Sequence, residues 1–70
     1  MEKIAEFHRL CHVIVREAKD GYAQTYARAG LTLQDGEACR VQALYILSNL
    51  ATWRGDLARE TKAKLKALKF

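Results

Sequence analysis

His8, Cys11 and His12 fall within little more than one helical turn, and Cys39 would complete a two-cysteine, two-histidine set of the kind zinc favours. The expected layout argues against that chemistry within one chain. With antiparallel helices joined by a turn near residue 31, Cys39 sits opposite about Gln24 and Cys11 opposite about Thr52. The two thiols are then roughly 20 Å apart at 1.5 Å per residue. A metal shared across a dimer is the minor alternative. A cysteine nucleophile with a histidine base would need a third orienting group and an enclosing pocket, which a bundle of this size rarely offers. The expectation is therefore no catalytic residue, no metal and no cofactor, with Cys11 a buried reduced thiol, His8 at the edge of the core and His12 in solvent.

Two other constellations concern binding. Gln42 and Asn49 lie one heptad apart on an otherwise apolar helix, flanked by Tyr45 and Trp53. One reading makes the amides a half-buried latch that fixes register by hydrogen bonding inside the core. The other makes Gln42, Tyr45, Asn49, Trp53 and Arg54 a mixed aromatic and amide surface that docks a partner protein, extended by Tyr22 and Tyr26 if these face outward. The second constellation is basic: Arg59, Lys62, Lys66 and Lys69 fall within about 80° of one another on a helical wheel. Such a stripe could track phosphates with salt-sensitive affinity. It also fits a solvated outer face, because cations favour a helix C-terminus and no aromatic interleaves the stripe. A helix-turn-helix reading is weak, since Leu57 and Ala58 would have to meet the base edges.

These side chains need helices to position them. Apolar or small residues recur at Ile4, Phe7, Cys11, Ile14, Ala18, Tyr22, Thr25 and Ala29, a spacing that predicts one long amphipathic helix over about residues 2–29. Gly21 reads as a kink or close-packing point and Gly30 as the glycine that terminates the helix. Thr32-Leu33-Gln34-Asp35 matches a capping box, which starts a central helix over about 33–53. The segment Leu44-Tyr45-Ile46-Leu47-Ser48-Asn49-Leu50 within it is too apolar all round for a surface helix. Arg54-Gly55-Asp56 then supplies a glycine stop and an acidic cap for a short basic helix over about 56–69. The fold expected is all-α, a small three-helix bundle forming a single domain over 1–70. The first helix outreaches its partners, so it either bends near Gly21 or pairs its exposed apolar turns with a second copy in a homodimer.

Half of the 70 residues are hydrophobic and proline is absent. That composition suits one small core built from helices. The net charge of +4 is local: residues 54–70 carry six basic and two acidic side chains, and the rest of the chain balances. No window approaches the roughly 18 apolar residues that span a bilayer, so a cytoplasmic protein with no membrane association is expected.

Leu44 to Leu50, Trp53-Arg54-Gly55, Ala58, Lys62 and Leu65-Lys66 together resemble the C-terminal half of small helical proteins of unknown function from bacteriophage and prophage genomes. The resemblance covers roughly residues 41–68 and carries no catalytic or binding residue with it. It implies a phage-like origin in a bacterial host, and action by binding and modulating a host or anti-phage defence protein. The leading expectation is thus a non-enzymatic protein acting by protein–protein binding. The alternative is a small nucleic-acid-binding protein that uses the basic face of its C-terminal helix.

Overall fold

Asp20-Gly21 breaks the first periodic run into two helices. In the computed structural model, which describes residues 2–68 and 70, α1 spans Glu2–Glu17, α2 Gly21–Gly30, α3 Gly36–Ser48 and α4 Asp56–Ala67. The fold is all-α with four helices, which corrects the three-helix expectation. The buried face changes at the break: Ala23, Ala27 and Gly30 are buried in α2, whereas Tyr22, Thr25 and Ala29, which one continuous period would bury, are exposed, and periodicity alone cannot see a reversal of direction. Two side chains make the reversal. The Asp20 carboxylate accepts from the amides of Tyr22 (2.9 Å) and Ala23 (3.1 Å) and caps α2. The Gln24 amide donates back to the carbonyls of Ala18 (2.6 Å) and Val15 (3.2 Å) and satisfies acceptors at the end of α1.

The bounds of the central helix also differ from expectation. Thr32 does not cap it, since its hydroxyl donates to the Ala29 carbonyl behind it at 2.8 Å. Asp35 is the N-cap and accepts from the Ala38 amide at 3.0 Å. At the other end the Ser48 hydroxyl and the Asn49 amide each donate to the Tyr45 carbonyl at 2.9 Å. Side chains that compete for helix carbonyls in this way favour termination, and α3 stops at Ser48. Trp53 therefore sits on the connection to α4. That connection turns at Gly55, whose φ of 112° with ψ of 176° is a region open essentially to glycine.

α1 packs against α2, α3 and α4, and α3 packs against α2 and α4. Phe7, Ile14, Ile46 and Leu50 are fully buried at the centre, each contributing roughly 1.5–3 kcal/mol by leaving water. Alanines 18, 23, 27, 43 and 58 fill the rest of the interface and let backbones approach closely. The closest approach is at Gly30, where a β-carbon would lie 2.9 Å from Cys11 Sγ and 3.0 Å from Phe7 Cζ. Gly30 is thus a packing glycine inside the last turn of α2, whereas Gly21, with nothing within 4 Å of a β-carbon, is not. The chain does break beside Gly21 and α2 does end at Gly30, as the sequence suggested, but the close packing falls at Gly30 and not at Gly21. The surplus length that suggested a homodimer is taken up by the fold-back, and Ile4, Phe7, Leu10, Cys11 and Ile14 of α1 are all buried within the chain. Among the described residues no helix is long and apolar enough to cross a membrane.

Candidate functional site

The four-helix path puts both thiols in one core and within electrostatic reach of each other, against the expected separation. Because the chain reverses at residues 18–20 and again before Asp35, the start of α3 returns beside α1. Leu33 marks the meeting point: its carbonyl accepts from His8 Nε2 at 2.8 Å and faces the Cys39 thiol at 3.8 Å. Cys11 and Cys39 are both fully buried and reduced. Burial, with a smaller contribution from neighbouring Cys39, pushes the Cys11 thiol up to about 12, and burial followed by the charge of Asp35 raises Cys39. Raised values hold both sulfurs in the thiol form, the opposite of an activated nucleophile. Among the described residues no three histidine, cysteine or carboxylate side chains gather as a metal would need. His12 is exposed.

The residues expected to form one partner-binding stripe are divided by the early end of α3. The Gln42 amide donates to the Tyr26 carbonyl at 2.8 Å and ties α3 to α2 as a latch. Asn49 is spent on the Tyr45 carbonyl. Tyr45 itself is 53% exposed and stacks on Tyr26, ring centres 5.9 Å apart. Leu44 beside it is 57% exposed, so the apolar central helix has one open side and is not buried around its whole circumference; Tyr22, on α2, is 74% exposed.

Trp53 and Arg54 lie elsewhere, and they join the basic stripe. An open groove of about 540 Å³ runs between the 51–55 connection and α4. Ala51, Trp53, Arg54 and Gly55 form one wall, and Arg59, Lys62, Ala63 and Lys66 form the other. Lys62 Nζ donates to the Trp53 carbonyl at 2.7 Å and pins the connection to the helix. A carbonyl is neutral, so the lysine charge stays uncompensated. Arg59 has only the fully exposed Asp56 at 3.7 Å, a pair that solvent screens heavily. Among the described residues Arg54 and Lys66 have no carboxylate partner, whereas Arg9, Arg16 and Arg40 are matched by Glu6, Glu17 and Glu37. Lys69, the fourth member of the expected stripe, lies outside the described residues.

Sequence reasoning divided this groove between two rival surfaces and missed Ala51, Gly55 and Ala63. Of those three only Gly55 carried a signal, as a helix stop. No protein-family model matches the chain, and no curated protein or solved structure matches it either.

Proposed function

We propose that this is a non-enzymatic binding protein whose working surface is the groove along α4 and whose ligand presents an anionic backbone, with nucleic acid as the best fit. One observation carries the reading: Trp53 and Arg54 line the same groove as Arg59, Lys62 and Lys66. The objection that no aromatic accompanies the basic stripe is thereby met, and four cations with little internal compensation face one open channel. Binding of this kind is dominated by counterion release and weakens linearly in the logarithm of salt concentration. The test is fluorescence anisotropy with a labelled oligonucleotide across a salt series. Four contacts to a single strand give a slope of about −3. Replacing Arg54, Arg59, Lys62 and Lys66 with glutamine abolishes the signal, while replacing the exposed Lys19 and Arg28 on the α2 side leaves it largely intact. Equal loss in both variants would show an effect of net charge alone and reject the groove.

The second reading is a protein partner, and the exposed pair Leu44 and Tyr45 favours it. Leu44 borders a small notch of about 140 Å³ that Ala43, Leu47 and Leu65 also line. Exposed aromatic and aliphatic anchors beside a pocket suit a protein interface. The phage resemblance would make that partner a host or defence protein. Under this reading Leu44→Ser with Tyr45→Ser removes partner binding and the glutamine variants do not.

A further inference from the structure

We infer that the groove selects single-stranded over double-stranded nucleic acid, with one base stacked on Trp53. The inference rests on the nucleic-acid reading above and adds the kind of strand. Shape is the first argument. Reading a duplex requires a convex element with donors that enters a major groove about 12 Å wide. Here the cations line a hollow, whose 540 Å³ is within the range of roughly 300–1,000 Å³ that takes small ligands. An open groove of this size matches the backbone and one base of a single strand. The first two residues of α4, the tip that would enter a duplex groove, are Asp56 and the 43% exposed Leu57, a carboxylate and an alkyl group that repel or ignore phosphates.

The second argument is the arrangement of charge around the aromatic. Arg59, Lys62 and Lys66 follow at i, i+3 and i+7 and span about 10 Å of helix axis, a rail along one wall. Arg54 faces it from the other wall beside the half-buried Trp53. Ala51 and Ala63 lie between the long side chains and keep the channel open. The half-buried indole packs against the core, and its backbone is tied down, the Trp53 amide donating to the Leu50 carbonyl at 3.1 Å and the Trp53 carbonyl accepting from Lys62. A charged channel with a fixed aromatic is what sequence-tolerant single-strand binders use, because every base has a face to stack.

Trp53 is the only tryptophan of the chain, so the wild-type protein reports on the site directly. The experiment titrates it with oligo(dT) and with a blunt hairpin duplex of equal charge, following intrinsic fluorescence and anisotropy. The expected result is quenching by oligo(dT), affinity at least ten-fold above the hairpin, and loss of about that factor in Trp53→Leu, with hairpin binding unchanged. Ala63→Leu, which narrows the channel without touching the core, lowers oligo(dT) affinity in the same direction. Equal affinity for both nucleic acids with unchanged tryptophan emission would overturn the inference and leave the anionic-backbone reading standing. Binding of neither would overturn both. Competition by poly-glutamate as effective as by oligo(dT) would overturn both in favour of an acidic protein segment.

Discussion

Two glycines in this chain have different physical reasons to be there and a third has none, and substitution to alanine costs stability at the first two and adds it at the third. At Gly55 a β-carbon would meet nothing within 4 Å, yet φ is 112°. The cost of Gly55→Ala is therefore conformational, about 1–3 kcal/mol, and the groove wall beside it shifts. At Gly30 the backbone is ordinary helix and the obstacle is the Cys11 sulfur and the Phe7 ring, so overpacking destabilises by about 1–3 kcal/mol. Gly21 has neither problem and Gly21→Ala stabilises by about 0.4–1 kcal/mol through the unfolded chain. Urea denaturation of the three variants reads all of these. Cys11 makes a prediction about pH. Its value is raised from 9.0 to about 12, so its contribution to stability is complete below pH 9 and is lost as pH rises toward 12, where the unfolded chain ionises first. Denaturation midpoints measured from pH 8 to 11 should fall, with a smaller fall in Cys11→Ala. A slope identical in the two proteins would refute the assignment.

At the scale of the elements, the turn between α1 and α2 depends on a reciprocal pair of caps. Asp20→Ala removes two hydrogen bonds to the first turn of α2 and should cost about 0.5–2 kcal/mol. Rapid amide exchange at Tyr22 and Ala23 would locate the damage. This pair also explains what was legible in the sequence. Helical content, the core face of α1 and the start of the last helix near Gly55 followed from spacing and composition. The break at Asp20 was legible only as one of two alternatives, a bend near Gly21, because Tyr22, Thr25 and Ala29 continue the apolar or small spacing past it while the fold buries Ala23, Ala27 and Gly30 instead. An aspartate followed by glycine was the available signal, a cap residue ahead of a new helix. The end of α3 was hidden for another reason. Leu47, Leu50 and Trp53 continue an apolar pattern past Ser48, whereas termination depends on which carbonyl the Ser48 and Asn49 side chains choose. That choice moved Trp53 off the helix and into the groove.

For the whole molecule, the accessible surface of 4515 Å² is close to the about 4,450 Å² expected of a free-standing folded chain of 8.0 kDa. The radius of gyration of 10.6 Å likewise matches the about 11 Å of a single collapsed chain of this length. Since α1 is covered by the chain itself, sedimentation at high micromolar concentration should give the monomer mass, and a dimer there would mean that the open side around Leu44 and Tyr45 self-associates. The packing of Cys11 under Gly30, and of Cys39 at the start of α3, has a consequence for motion. A thiol reagent reaches Cys11 only when α2 lifts from α1, and reaches Cys39 only when the segment before α3 peels away. The two sulfurs are thus independent clocks for two partial openings of one small domain, and their alkylation rates would tell which half of the molecule lets go first.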